Sequence, residues 1–439
     1  MNTKHLSVSE KAVLFLISTV LITLTVSFPP VSPLLFAVFP AVFTLIQGEK
    51  PGKQVIILVF LIFTVCLIVF LNAFFIQSQL FLFVLATLYF IVLLGSDIFI
   101  GFYAVNHTYG FILVFGYVAV SRLILSFSTI VFPFYWTLTM QLLPFMGAVS
   151  QFAVPVLWEA FCVTGASFLY FPYSSKPSLY PLIQVAMIMA IVIVFSGIIK
   201  AGLGPSSFTP GLECALVQGG YSRQDYVLLE RHPNFGINMV QKYLGHLAEV
   251  TNERFLVLPE SAFPVHQIVD SEMLQKMKDV ARLRNEYIMT GILLVEDGVV
   301  YNASVLINPE GSLQNVYRKR NTVPFVETST FARGMRANTF AVDGHTIAPV
   351  ICYESLFIRN YFRDSKPELY LVISNDIFAD KTVLSNLHIA YGVINARTLG
   401  TPLLQVMQNG PSVYLDSQGR LTYLTRPYEQ AIGLKVEIK

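Results

Sequence analysis

Charge is what the first half of this chain lacks. The sequence holds 29 Lys and Arg and 27 Asp and Glu, yet only 11 of these lie in residues 1–200. Overall it is 54% hydrophobic and 13% charged, where soluble proteins carry about a quarter charged residues. That imbalance excludes a uniform water-soluble fold. The first half reads as membrane-embedded and residues 201–439 as a globular domain in water. Cysteine is scarce too: Cys66, Cys162, Cys214 and Cys352 form no CxxC pair, and the first two fall in apolar runs. A disulfide framework and a zinc site are both disfavoured. The seven histidines show no HExxH-type spacing, which argues against a metal enzyme. A net charge of +2 gives no reason to expect nucleic acid. There is no internal repeat and no low-complexity tract. At 439 residues the chain has room for two or three domains.

What is present begins with apolar runs at 12–28, 31–47, 54–76, 80–103, 110–126, 148–171 and 180–199. A bilayer crossing takes about 20 apolar residues, so the expectation is a helical bundle over 1–200 with about seven spans. The first run resembles a signal peptide but has no convincing cleavage site, and is read as retained. Lys4, Lys11, Lys50, Lys53 and Lys176 all fall on one side of such a bundle, and positive loops face the cytoplasm. Seven crossings then put residues 201–439 outside. Asp97, Arg122 and Glu159 lie within or beside spans, where a charge is costly and often functional.

Residues 201–210 are rich in Gly, Pro and Ser and read as a linker. A catalytic domain is expected over 211–425, with a C-terminal tail at 426–439. Strands are expected at Leu212–Gln218, Arg254–Pro259, Tyr287–Leu294, Ser304–Asn308, Thr346–Cys352, Leu369–Ser374, Leu403–Met407 and Ser412–Asp416. Helices are expected at about 233–250, 271–284 and 384–399. Such alternation predicts an α/β domain.

Three stretches bear chemistry. Thr346–Cys352 is an apolar run ending in a thiol, which puts Cys352 at the rim of a sheet. Taken alone this signal is weak, because a free cysteine is most often a small core residue. Leu256-Val257-Leu258-Pro259-Glu260 ends in a carboxylate that is either a solvated acid or a base for a thiol proton. Tyr317-Arg318-Lys319-Arg320 is either a charged surface hairpin or a source of a lysine that lowers a thiol pKa and stabilises an oxyanion. Lys319 would favour a thiolate at Cys352, while burial and Glu260 would oppose it. The direction of the thiol shift stays open.

Together, in the order Glu260, Lys319, Cys352, these stretches resemble the carbon–nitrogen hydrolase (nitrilase) superfamily, whose triad is Glu–Lys–Cys. The resemblance runs from about Ala215 to Gly419 and includes Gln218-Gly219 and Ser374-Asn375-Asp376. Within the superfamily, Lys319 through Pro324, Phe325 and Glu327, with the membrane bundle ahead, resembles apolipoprotein N-acyltransferase. The resemblance implies a four-layer α-β-β-α sandwich following a membrane bundle. It implies an acyl chain moved from a phospholipid, through a thioester on Cys352, to the N-terminal amine of a lipidated apolipoprotein. Glu260 would handle the protons and Lys319 the oxyanion. Glu327 and Glu354 correspond to supporting acids, and Tyr353 would position the site. No cofactor or metal is implied, and the location is the bacterial inner membrane with the catalytic domain on the periplasmic side.

The family adds a further membrane helix, for which Leu424–Lys439 is too short and polar. Ile377-Phe378-Ala379 follows Ser374-Asn375-Asp376, where relatives commonly carry an aromatic first. Three other readings stand beside the leading one. They are a membrane-anchored amidase or nitrilase, a conjugation-associated relative with another acyl acceptor, and a transporter or binding module without chemistry.

Overall fold

Apolar side chains on every face mark the helices that open the chain: Val13, Leu16 and Ile17 on the first, Ile56, Phe60 and Phe63 on the third, and Val92 on the fourth all stand exposed. A helix apolar all round belongs in lipid or in a large core. The computed structural model describes residues 6–27, 34–47, 49–75, 80–104, 107, 109–126, 136, 155–168, 211–222, 224–225, 228, 245, 253–262, 266–268, 272–324, 326–328, 330–360, 367–379, 384–427 and 429–438. It divides into two units, Met1–Leu203 and Gly204–Lys439.

In the first unit the described helices are α1 (Val8–Ser27), α2 (Leu35–Ile46), α3 (Pro51–Phe75), α4 (Leu80–Ala104), α5 (Gly110–Ser126) and α6 (Pro155–Phe168). Three of them hold stretches long and apolar enough to cross a bilayer, Val8–Thr25, Pro51–Val69 and Val84–Ala104. The apolar helices Phe36–Ile46, Gly110–Leu125 and Val156–Phe168 are shorter than a span needs. Among the described residues there are thus three full-length spans where about seven are expected over 1–200; most of 127–154 and all of 169–199 lie outside the described residues. Lys11 and Lys53 both pair with Glu49, so the starts of α1 and α3 lie together.

The three intramembrane charges meet. Arg122 Nη2 lies 2.5 Å from Asp97 Oδ2 and 3.4 Å from Glu159 Oε1. Trp136 donates its indole N–H to Asp97 at 3.0 Å and its backbone N–H to Glu159 at 2.6 Å. All four residues are buried. A buried charge needs partners of this kind, and the cluster ties α4, α5 and α6 to Trp136.

The second unit is built on two sheets. The first has the order β13-β1-β2-β4-β5-β6, with β3 also paired to β4. Its strands are β1 (Glu213–Gln218), β2 (Phe255–Val257), β3 (His266–Ile268), β4 (Tyr287–Glu296), β5 (Val299–Ile307), β6 (Leu313–Arg318) and β13 (Ala431–Glu437). The second, β12-β11-β10-β9-β8-β7, comprises β7 (Phe340–Val342), β8 (His345–Ile351), β9 (Leu369–Ser374), β10 (Leu403–Met407), β11 (Val413–Leu415) and β12 (Leu421–Tyr423). Helix α7 (Glu272–Arg284) packs Leu274, Met277 and Ala281 on Leu256, Ile288 and Ile292 of the first sheet. Helix α8 (Leu384–Leu399) packs on β10 and β11, and β1 and β5 meet β10 and β8 across the two sheets. The layers run α-β-β-α. Strands β8, β9 and β10 are parallel, and β9 and β10 are buried along their whole length, which is why they read as unbroken apolar runs.

The chain's end is not a tail. Strand β13 pairs antiparallel with β1 along its whole length, with a register shift at Leu216/Val217. Its alternation is weak (Ala-Ile-Gly-Leu-Lys-Val-Glu) and it lies at the sheet edge, so no strand was expected there. The edge strands β6 and β12 are partly exposed and polar, and escaped the sequence reading for the same reason. Of the expected helix at 233–250 only residue 245 is described, and it is helical; the linker 201–210 lies outside the described residues.

Candidate active site

Strand ends assemble the site. Cys352 follows the last residue of β8 and opens a short 3-10 helix, Cys352–Asn360. Its φ is +49°. Among the described residues the other non-glycine positive-φ positions are Asn285, Asp297, Asp343 and Ser261. Asn and Asp visit that region readily, whereas Ser261 and Cys352 do not. Both flank the constellation named above, and strain of this kind persists only where its surroundings enforce it.

Glu260 turns off the end of β2 and is buried. Its Oε1 accepts from Asn302 Nδ2 at 2.7 Å and Lys319 Nζ at 3.2 Å, and its Oε2 accepts from Asn375 N at 2.8 Å. Asn302 and Lys319 belong to the first sheet's β5 and the end of β6, while Asn375 ends β9 in the second. One carboxylate thus joins both sheets. The turn fits only because Gly291 faces it on β4: a Cβ there would lie 2.6 Å from Glu260 Cα.

Lys319 is fully buried. Its second partner is Glu327 Oε1 at 3.0 Å, and Glu327 Oε2 accepts the Val323 N–H at 2.7 Å. Burial works against its charge, but Glu260 and Glu327 outweigh it and raise the ammonium pKa well above the usual lysine value. Lys319 remains a cation. The thiol of Cys352 moves the same way: burial first, then the charge of Glu260, push it well up against the pull of Lys319. The direction left open by the sequence is therefore upward, and the resting group is a thiol rather than a thiolate.

Glu354 supports the site from beneath. Its Oε1 accepts from Tyr317 Oη at 2.9 Å, Arg320 N at 2.7 Å and Asn321 N at 3.0 Å. Its Oε2 accepts from Ile351 N at 3.1 Å. The carboxylate clamps the turn after Lys319 to the residue before Cys352. Burial raises its pKa, with Lys319 and those backbone N–H groups opposing. Of the two supporting acids, Glu327 holds the Lys319 side chain and the Val323 N–H, and Glu354 holds three backbone N–H groups and the Tyr317 hydroxyl. Tyr353 leans on Phe357, ring centroids 5.2 Å apart.

Ser374-Asn375-Asp376 contributes the Asn375 amide on Glu260 and a Ser374 hydroxyl on Asp376 at 2.6 Å. Burial opposes the charge of Asp376, but His388 and Ser374 outweigh it and hold the carboxyl below its usual range. Gln218 links the sheets, accepting from Ser412 Oγ at 2.6 Å and Thr425 Oγ1 at 2.9 Å. Sequence reasoning missed Asn302, whose Nδ2 also reaches Glu327 at 3.1 Å. A lone Asn in the run Val299–Ile307 was the available signal, since Asn is depleted in strands. Gly291 inside a strand was another. Among the described residues no cluster of His, Cys, Asp and Glu is fit to hold a metal.

A nucleophile, an acceptor for its proton and a fixed cation together fit acyl-transfer chemistry. Residues 236–424 match the carbon-nitrogen hydrolase family. The chain is 26% identical to apolipoprotein N-acyltransferase of Vibrio vulnificus over 51% of this chain and 49% of that one. It is 24% identical to the Vibrio parahaemolyticus protein of the same name over 65% of this chain and 68% of that one. A CN-hydrolase superfamily protein from Xanthomonas campestris, of known structure, aligns at 20% identity and a TM-score of 0.42, over 52% of this chain and 90% of that one. The second unit carries a carbon–nitrogen hydrolase domain. The chain is thus similar to apolipoprotein N-acyltransferases and, over residues 236–424, to the carbon-nitrogen hydrolase family, and it spans about half the length of the Vibrio vulnificus relative.

Proposed function

We propose that this chain is a membrane-bound N-acyltransferase using Glu260, Lys319 and Cys352. One observation carries the reading: a buried Glu260–Lys319 pair stands beside a cysteine on a left-handed elbow, in a chain with three membrane-length helices among its described residues. Glu260 takes the thiol proton as sulfur attacks a phospholipid ester, and the Lys319 ammonium stabilises the tetrahedral oxyanion. The C–O bond breaks, the lysophospholipid oxygen takes the proton, and a thioester remains. The N-terminal amine of a lipidated apolipoprotein then attacks. The C–S bond breaks, an amide forms, and the amine proton returns through Glu260 to the thiolate. The raised thiol pKa makes the base necessary, because little thiolate stands ready at neutral pH. A water-soluble nitrile or amide substrate gives no role to three membrane-length helices.

Phospholipid alone should load the enzyme with one acyl group, seen by intact-protein mass spectrometry and removable by neutral hydroxylamine. Cys352→Ala should carry none. A lipopeptide with a free N-terminal amine should discharge the adduct, while an N-blocked one should not. Failure of active enzyme to load rejects the thioester route, and release of free fatty acid alone favours a hydrolase. The location follows from the same reading: the bacterial inner membrane, with Gly204–Lys439 on the periplasmic side. Lys11 and Lys53 meeting at Glu49 support a cytoplasmic end there. Reporter fusions at Lys53, Lys176 and Gly311 test it, and a cytoplasmic signal at Gly311 rejects the orientation.

A further inference from the structure

The left-handed backbone at Cys352 has to be held, and its two flanks are held differently. On the N-terminal flank the Ile351 N–H donates to Glu354 at 3.1 Å. On the C-terminal flank the carbonyl of Cys352 faces His388 of α8, whose Nε2 is 3.2 Å away. A carbonyl only accepts, so that contact calls for an N–H on Nε2. The other ring nitrogen, Nδ1, lies 3.4 Å from the Asp376 carboxylate, which also only accepts, so the two contacts together need an N–H on each nitrogen; Asp376 Oδ1 also accepts the Ser374 hydroxyl. Ser355, in the first turn after the elbow, brings Oγ to 2.5 Å from His388 Nε2. His388, Asp376 and Ser355 are all buried. The acyl-transfer steps above use none of these three side chains. Any buried histidine needs partners for its ring nitrogens; what sets His388 apart is that one of them is the nucleophile's own carbonyl.

We propose that His388, oriented by Asp376, is a positioning residue that clamps the Cys352 carbonyl and so fixes the elbow from which the thiol is presented. This inference rests on the reading of Cys352 as nucleophile. The clamp acts through backbone geometry and touches neither lipid nor amine. Its loss should therefore lower the rate of the chemical step and leave donor binding alone.

The test uses the full chain in detergent with dioleoyl phosphatidylethanolamine in mixed micelles, comparing wild type, His388→Ala, His388→Gln and Asp376→Asn. Two quantities are measured: the rate of acyl loading as lipid is varied, and amide hydrogen exchange in the peptide covering Ile351–Ser355. His388→Ala should slow loading at saturating lipid by on the order of 100-fold, the usual effect of a small misplacement of a reacting group, with the half-saturating lipid concentration unchanged. Exchange should rise at the elbow and not throughout α8 and β9. His388→Gln, whose amide N–H can reach the same carbonyl, should recover most of the rate and the protection, and Asp376→Asn should fall between. If His388→Ala does not fold, His388→Asn takes its place, because its shorter amide falls short of that carbonyl. Wild-type loading in His388→Ala overturns the proposal. So does a folded His388→Gln no better than the alanine variant, or exchange that rises across α8 and β9. A wild-type enzyme that takes no acyl group from lipid rejects the acyltransferase reading, while the exchange measurement still decides the clamp.

Discussion

Two buried clusters in this chain have the same charge formula. Each sets one cation against two carboxylates: Arg122 with Asp97 and Glu159 in the first unit, Lys319 with Glu260 and Glu327 in the second. Arg122 and Lys319 are both fully buried. Yet only the second cluster sits at strand ends, beside a partly exposed cysteine residue and two left-handed residues. Buried charge by itself is therefore a poor marker of chemistry. What separates the clusters is a partly exposed cysteine, where Cys162 beside Glu159 is buried, and backbone strain that something must enforce. The cations differ in kind as well: a guanidinium bridges several helices through its fork, whereas an ammonium is a point charge suited to one developing oxyanion.

The contrast breaks if the first cluster proves dispensable to the fold. Arg122→Met strands two carboxylates inside a helical bundle, and should cost about 3–5 kcal/mol of stability. Thermal or denaturant unfolding in detergent measures it, while loading per folded molecule should hold near wild type. An unchanged midpoint would make the cluster incidental. Lys319→Met tests the other side. It should lower the loading rate by about 10²–10³-fold, equivalent to about 3–4 kcal/mol, through lost oxyanion stabilisation. Because Glu260 and Glu327 lose their partner, stability should also drop, so the rate per folded molecule is the discriminating quantity. Wild-type loading would show that Lys319 is structural, like Arg122.

Smaller changes sharpen the picture within the site. Gly291→Ala drives a methyl to within 2.6 Å of Glu260 Cα. It should cost about 1–3 kcal/mol as overpacking and displace the base, lowering the loading rate more than donor affinity. Equal stability and rate would mean the Glu260 turn gives way freely. The last prediction concerns pH. Burial and Glu260 hold the Cys352 thiol protonated, so alkylation by iodoacetamide should climb only well above the ordinary thiol range near pH ~8.5. Removing the negative charge in Glu260→Gln leaves Lys319 to favour the thiolate. The alkylation profile should then move to lower pH while acyl loading is lost. A profile that stays put or moves upward would remove Glu260 from the thiol's surroundings.

Several features were determined by the sequence alone, for physical reasons that act locally. The near-absence of charge before residue 200 requires apolar surroundings for the opening helices, whatever their packing. Strands β9 and β10 were legible to the residue because strands buried on both faces must be apolar throughout. Glu260 and Cys352 each end an apolar run abruptly with a functional group, but singly neither run points to chemistry; only their order with Lys319 and the family resemblance does. Tertiary structure decided the rest. Edge strands such as β13 carry little pattern, since one side needs no burial, and only pairing with β1 reveals them. Asn302 and His388 are ordinary residues in sequence and gain meaning from partners 42 and 36 positions away. The upward direction of the thiol shift depended on burial outweighing Lys319, a balance of distances that no spacing along the chain encodes. Asp97, Arg122 and Glu159 were each visible as an intramembrane charge, but only helix packing could turn three isolated charges into one neutralising cluster.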